Sequence, residues 1–406
     1  MSAAPRPEFN LLQAYELSEK DIQLRWQKAL DFYRERKSVL FLSYGRFWER
    51  HGFVQQSLAY ALAEAGVKVL WLDGSGWRRY RPVVKKHPNL VVKQLPSIPG
   101  RRLPAMDQID LKLKARYCQR AIRSLPGNPV VWVQAGLDER LAAALPYIDA
   151  FSVFDDPYRH SPMGALCQRA KTIVCQNQKA LDCVKQFHAS KAQVVLPPVD
   201  MSAGVFAEDA KDPFPEKFPK EVFGYIGSFE NDGFDLLLFE DFIRSFPQYG
   251  FLLMGRTDKA GMELVQRFAR HPNFLYLPWV ERSQLAAVWR RLSLTLLFYR
   301  PNRTQDGAFP VKVLESARFG VPCLATAVHK TEGLHGVFPR SSIIQTLKAL
   351  VPEAMALQGD FCQTLYKKLS VQMHPKLHLA HVAECLTTTP LQATPPAARA
   401  KRSNLP

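Results

Sequence analysis

Apolar runs of membrane-span length are missing from this 406-residue chain, and its first residues, MSAAPRPEFN, lack the apolar core of a secretory signal. Seven cysteines lie at positions 118, 167, 175, 183, 323, 362 and 385, and no two of them form a Cys-x-x-Cys pair. That spacing argues against a zinc site and against a disulfide framework. No G-x-G-x-x-G follows the first apolar strand, so a dinucleotide fingerprint is not supported there. No Asp-x-Asp metal motif stands at a plausible site, and no zinc finger or RRM aromatic signature accompanies the basic residues. The expectation is a chain of the reducing cytoplasm that needs no cofactor, holds no metal and does not read nucleic acid.

What is present is a globular composition, 47% hydrophobic and 22% charged, in a chain long enough for two domains with full cores. The net charge of +17 is unevenly spread: between Arg78 and Arg123 stand thirteen Lys/Arg against two Asp. Such a field either keeps the protein soluble or attracts polyanions, and an anionic membrane surface or an anionic acceptor is the preferred partner. On that reading the protein is peripheral on the inner face of the membrane.

Short apolar strands recur at Val39–Leu42, Val67–Leu72, Leu90–Leu95, Val130–Gln134, Phe151–Phe154, Thr172–Gln176 and Gln193–Leu196, separated by helical or turn segments as a parallel sheet requires. A segment rich in Pro and charge, residues 202–220, interrupts the pattern and reads as a linker. A second series then begins at Val222–Ile226, followed by Gly227 and Ser228. It continues through a helix led by Asp235, a strand ending at Gly255-Arg256, and a strand over Asn273–Leu277. Helical periodicity fills the chain from Ser341 to about Leu386. His374, His378 and His381 could share a helix face there, but Pro375 and the lack of an acidic partner argue against a metal.

The organising stretch is Leu294–Thr326, LTLLFYRPNRTQDGAFPVKVLESARFGVPCLAT. It reads as a buried strand, a polar loop, a helix over Pro310–Phe319 stopped by Gly320 and Pro322, and a second strand. A helix that starts where a parallel strand ends offers free N–H groups to a phosphate. Lys312 adds a full charge in the first turn. Glu315, three residues on, could accept both hydroxyls of a ribose, or the pair could be an ordinary helix-surface Lys–Glu contact.

Phe309-Pro310-x-Lys312-x-x-Glu315, followed by Gly320-x-Pro322, resembles the donor-site segment of the retaining GT-B glycosyltransferases of the "group 1" family. Many members carry two glutamates seven residues apart; Glu315 matches the second, and Gly307 stands where the first would be. This resembles a subgroup whose motif is reduced to Pro-x-Lys-x-x-Glu. QVVLPPVD, at the end of the first series, resembles the exit of that family's first domain.

The resemblance implies an α/β fold of the GT-B type, two Rossmann-like domains with parallel sheets facing across a cleft. The expected division is an N-terminal helical extension at 1–38, an acceptor domain at 39–200, a linker at 201–220 and a nucleotide-sugar domain at 221–340. Helices returning to the first domain occupy 341–386, and a disordered tail occupies 387–406. It implies a transferase moving a sugar from a nucleoside-diphosphate sugar to a glycan, lipid-linked or other hydroxyl acceptor, with retention and without metal. One rival is a catalytically silent GT-B-like binding or accessory protein; the other is a basic membrane- or nucleic-acid-binding protein on a Rossmann scaffold, with the Arg78–Arg123 region as its main site.

Donor-binding candidates are Gly227, Ser228, Arg256, Trp279, Val280, Arg300, Phe309, Pro310, Lys312 and Glu315. His51 and Gly52 are candidates for a loop facing acceptor or phosphate. Asp155, Asp156 and His160, in a loop resembling a Tyr-Asp-x-x-Asp segment of the same subgroup, are either turn and capping residues or the groups that orient and deprotonate an acceptor hydroxyl.

Overall fold

The central strands of the first sheet have almost no water-facing side. β1 (Ser38–Leu42), β4 (Val130–Gln134) and β5 (Ile148–Val153) are buried at every position. Strands covered on both faces belong to parallel sheets sandwiched by helices. In the computed structural model, which describes residues 18–43, 55–73, 87–100, 103–153, 163–199, 210–230, 233–278, 280, 284–300, 311–326 and 344–388, that is how they are used. With β2 (Lys68–Asp73), β3 (Leu90–Gln94), β6 (Ala170–Cys175) and β7 (Ala192–Val194) they form a seven-stranded parallel sheet of order β3-β2-β1-β4-β5-β6-β7. β3, at one edge, alternates buried and open positions and carries Lys93, which suits a strand with a free side.

Helices cover both faces. α1 (Glu19–Arg36) starts in a capping box, with Ser18 Oγ accepting from Asp21 N and Asp21 Oδ2 accepting from Ser18 N. Together with α2 (Gln56–Glu64) it packs on one face through Trp26, Tyr33, Leu58 and Leu62. α3 (Pro104–Ser124), α4 (Glu139–Ala143), α5 (Gly164–Arg169) and α6 (Gln178–His188) complete this half, and the core on the opposite face takes in Cys118, Ile122, Leu141, Leu166 and Val184 from them.

The second sheet is smaller and also all parallel: β8 (Val222–Ile226), β9 (Gly250–Met254), β10 (Phe274–Leu277), β11 (Leu292–Leu297) and β12 (Cys323–Ala325), in the order β10-β9-β8-β11-β12. α7 (Leu236–Ser245), α8 (Lys259–Phe268), α9 (Leu285–Arg291) and α10 (Lys312–Arg318) connect its strands, and its core is rich in phenylalanine.

Four helices follow where the sequence suggests one periodic stretch: α11 (Ile344–Ala349), α12 (Val351–Ala356), α13 (Asp360–Gln372) and α14 (Pro375–Thr388). Gly359 breaks the run with φ of +78°, a value that favours glycine, and Pro375 starts the last helix. α13 packs on the second domain through Leu365, Leu369 and Met373. α14 crosses back and buries Leu379, Ala380, Val382 and Ala383 against α1, α2 and the first sheet. Hydrogen bonds from Val199 N to Met373 O (2.8 Å) and from Tyr33 Oη to Leu379 O (3.1 Å) fix the crossing, and the Arg25 guanidinium pairs with Glu384 across α1 and α14.

Some strand boundaries shift from the sequence reading for a physical reason. β5 begins at Ile148 rather than Phe151, because the charged Asp149 is fully buried inside the strand. Arg36, Lys171 and the Val131 N–H all bind its carboxylate. Its partners come from three other elements, so no local pattern could reveal them.

Candidate functional site

In the second sheet, β8 continues to β9 and β10 on one side, while β11 and β12 lie on the other. The strand order therefore reverses between β8 and β11, and the carboxyl ends of those two strands bound the crevice where open α/β sheets take ligands. Gly227 ends β8, its N–H bound to Met254 O at 2.9 Å, and Gly255 ends β9, its N–H bound to Leu277 O at 3.1 Å. The two turns press backbone on backbone: a Cβ on Gly255 would stand 2.0 Å from Gly227 O, and Gly255 has φ of +129°. Only glycine fits there.

Beneath this turn lies a pair of tyrosines. Tyr225 Oη donates to Ser228 O (3.1 Å) and stands 3.2 Å from Tyr299 Oη, with the rings edge to face at 5.9 Å. Since Tyr225 has one hydroxyl proton and gives it to Ser228, Tyr299 is the donor within the pair. Burial pushes both phenols up, Tyr225 well above its ordinary value and Tyr299 to about 12, the rise at Tyr299 being moderated by its hydrogen bond with Tyr225. Thr326 ties the ends of β11 and β12 together, accepting from Tyr299 N at 3.0 Å and donating to Tyr299 O at 2.8 Å.

α10 is submerged on nearly every side: Val313, Leu314, Glu315, Ser316 and Ala317 are all buried. Glu315 is only 5% exposed, and Lys312, half-buried at the first helical position, places Nζ 2.7 Å from Glu315 Oε2. An exposed i, i+3 pair would keep both ends in water; here the carboxylate is held in the protein by a charge-assisted hydrogen bond. The helix begins at Lys312, two residues later than Pro310, and has seven residues.

The loop before α7 folds over the end of β11. Asp235 N donates to Phe298 O (2.7 Å), Arg300 N donates to Gly233 O (3.1 Å), and Arg300 Nη2 lies 3.8 Å from Asp235 Oδ1. The same carboxylate caps α7 at Leu238 N. Arg300 is therefore docked on its own domain rather than extended freely. Arg256, at the turn after β9, is exposed, and its carbonyl accepts from Phe229 N.

The candidates thus fall into three groups. Gly227, Ser228, Arg256, Arg300, Lys312 and Glu315 lie along one edge of the second sheet. Val280 follows β10, three strands from β11, and packs partly buried on the core. His51, Gly52, Asp155, Asp156, His160, Trp279, Phe309 and Pro310 lie outside the described residues. Sequence reasoning missed Tyr225, Tyr299 and Thr326. The only available signal was their place at or just beyond the ends of strands β8, β11 and β12.

The first sheet carries a polar row at its own carboxyl edge: Ser43, Asp73, Gln134, Gln176 and Asn177 are buried there, and Asn177 Oδ1 accepts from Ala180 N at the start of α6. Among the described residues, no group of His, Cys, Asp and Glu could hold a metal ion. The three histidines of the carboxyl-terminal region are engaged separately. His374 Nδ1 accepts from Lys376 N, His378 Nδ1 faces Leu196 O at 3.2 Å, and His381 Nδ1 faces Arg25 at 3.0 Å.

Two doubly wound parallel sheets joined by a returning helix define the GT-B class of fold, and solved structures of that class superpose on this chain. The protein HepE from Anabaena, crystallised with UDP, is 12% identical with a TM-score of 0.59, covering 86% of this chain and 99% of its own. Sucrose-phosphate synthase from Thermosynechococcus elongatus is 14% identical with a TM-score of 0.62 and the same coverage. A UDP-forming trehalose-phosphate synthase from Burkholderia xenovorans is 14% identical with a TM-score of 0.60, covering 87% and 99%. Residues 220–356, in the second domain, match the family model described as "Glycosyl transferases group 1". No curated protein sequence matches the chain.

Proposed function

We propose that this protein transfers a sugar from a nucleoside-diphosphate sugar, held mainly by the second domain, to a hydroxyl of a glycan or lipid-linked acceptor held by the first. The observation that carries this reading is the buried Glu315 carboxylate, paired with Lys312, beside the β8/β11 reversal. A buried carboxylate at such an edge is costly unless it has partners to accept from. The two hydroxyls of a ribose are suitable donors, and Lys312, one turn of helix away, is then released towards a diphosphate. UDP in the Anabaena structure makes a uridine donor the first to try.

Chemically, the task is to stabilise the leaving diphosphate while a weak hydroxyl nucleophile attacks. Lys312, with Arg256 and Arg300 nearby on the same edge, supplies preorganised positive charge for this without a divalent ion. The Gly227–Gly255 contact keeps side chains out of the turn, so the backbone there leaves room for the phosphates to come close. Asp155, Asp156 and His160 are the proposed acceptor-activating group, and His51 and Gly52 the proposed facing loop. Retention of configuration is part of the proposal and is read from the product anomer.

Thermal shift with UDP-, GDP- and ADP-sugars identifies the donor, since a ligand of the folded state raises its melting temperature. With that donor, Lys312→Ala should lose about 2–4 kcal/mol of transition-state stabilisation, read as a fall in kcat. Glu315→Ala should weaken nucleotide affinity by calorimetry. No shift with any nucleotide-sugar, or full turnover in Lys312→Ala, would remove the proposal.

A further inference from the structure

The basic stretch of the first domain is not a uniform cloud of charge, because α3 orders part of it. Ile109, Leu113, Arg116 and Arg120 follow one another at i, i+4, i+7 and i+11, so they share one face of the helix. That face is open: Ile109 is 53% exposed and Leu113 40%, Leu103 just ahead of them is 63% exposed, and Lys112, Arg116, Arg120 and Arg123 are all exposed. Among the described residues eight large apolar side chains are exposed; three stand on this one helix and its cap, and the other five on five separate elements. Scattered apolar residues are ordinary on a surface, whereas a clustered group calls for a partner.

The helix cannot roll to hide this face. Asp110, on the buried side, accepts from Ser97 Oγ (2.9 Å) and Ile98 N (2.8 Å) and pairs with the buried Lys114. Arg140 holds Asp107 from α4 at 2.6 Å. Both acids of the helix are thereby occupied, and among the described residues Lys112, Arg116, Arg120 and Arg123 have no acidic partner within ion-pair distance. Leu103 adds a local oddity. It occupies the N-cap, makes no capping hydrogen bond and faces water, where Ser, Thr, Asp or Asn is preferred.

We infer that this face of α3 docks the protein on an anionic lipid bilayer, with Leu103, Ile109 and Leu113 entering the headgroup region and the four cations lying against lipid phosphates. The inference deepens the lipid-linked acceptor named above but is tested without it. Apolar insertion and attraction to anionic headgroups are the two contributions that bind interfacial helices. A nucleic acid would use the cations and leave the leucines and isoleucine in water, which is why the bilayer is the better fit. Geometry supports this as well. α3 connects two parallel strands and so runs against them, which puts its apolar end at the carboxyl edge of the sheet, the ligand-binding edge. A lipid-anchored substrate would meet the enzyme from that side.

The experiment is sedimentation of the full-length protein with vesicles of phosphatidylcholine and phosphatidylglycerol, against vesicles of phosphatidylcholine alone, in low and in high salt. Wild type should partition onto the anionic vesicles, and salt should weaken the binding. Ile109→Asp/Leu113→Asp and Arg116→Glu/Arg120→Glu should each lose about tenfold or more, since each cation near an anionic surface is worth about fivefold. All four positions are exposed, and an unchanged melting temperature verifies folding. Nucleotide binding in the same variants should be unaltered, which separates this inference from the donor-site reading. Equal binding by wild type and both variants overturns the inference. So does binding to neither vesicle, preference for RNA over anionic vesicles, or a dimer in sedimentation velocity that the variants dissolve.

Discussion

The two sheets follow one plan with opposite means of support. The first, with seven strands, is covered from outside itself: α14, from the far end of the chain, packs on the same face as α1 and α2. Its polar fixtures are long-range, such as Asp149 with Arg36 and Lys171, or Trp132 with Ser152 and the stacked His378. The second, with five strands, is held by aromatic packing and by turns that touch one another, Gly227 on Gly255 and Tyr225 on Tyr299. The difference teaches where precision is kept. The second sheet has a tight, backbone-built edge suited to a ligand that must be gripped closely. The first relies on a strap that other residues hold in place.

This contrast is open to test, beginning with the largest expected effect. Gly255→Ala forces a Cβ into the Gly227 carbonyl at a φ that L-residues avoid, so about 3 kcal/mol or more of stability should be lost. Hydrogen exchange should localise the loss to the second sheet; an even loss across both would contradict the distinction. Gly66 is the matched control in the first domain, with φ of +86° and open space around it. Gly66→Ala should cost only the left-handed penalty, about 1–2 kcal/mol in a denaturation series.

Acid should act on the strap rather than on the second sheet. Burial pushes His378 down to about 3 and His381 to about 4, from ordinary values near 6.5. The unfolded chain takes up these protons and the native one does not, so stability is complete above about pH 6.5 and falls as pH drops towards 3–4. For His378 alone the loss at pH 5 is about 2 kcal/mol. Its Nδ1 is taken by Leu196 O, and Nε2 is buried with no acceptor among the described residues. Urea melts across this window should show the slope, and His378→Phe should flatten it. An unchanged slope would mean that α14 does not carry the acid response. The smallest effect is expected for Tyr299→Phe, which removes one buried donor and should cost about 1 kcal/mol. Tyr225 keeps Ser228 as its acceptor, so thermal melts should show no larger collapse.

The strands were legible because each is a short apolar run ended by polar or turn residues, and β4 and β8 fall where the runs predict. The division into two doubly wound halves and the GT-B fold followed from the order of those runs and from the motif around Lys312. Asp149 was not legible, since a charged residue inside a strand makes sense only beside partners 113 and 22 residues away. For Lys312 and Glu315 the sequence left two readings open, surface contact or site. The flanking motif favoured the site, but the burial of Glu315 could not be read, because it depends on distant elements such as β12 and α13 packing against α10.

By itself, then, the sequence determined the elements, their order and the residue types available at each strand end, because apolar periodicity and turn chemistry act over a few neighbouring residues. Only the tertiary structure decided that Glu315 is buried, that Tyr225 meets Tyr299, and that α14 crosses to the first sheet. It also decided that the rotation of α3 leaves leucine, isoleucine and arginine on one open face. These depend on contacts between distant parts of the chain, which no local pattern contains.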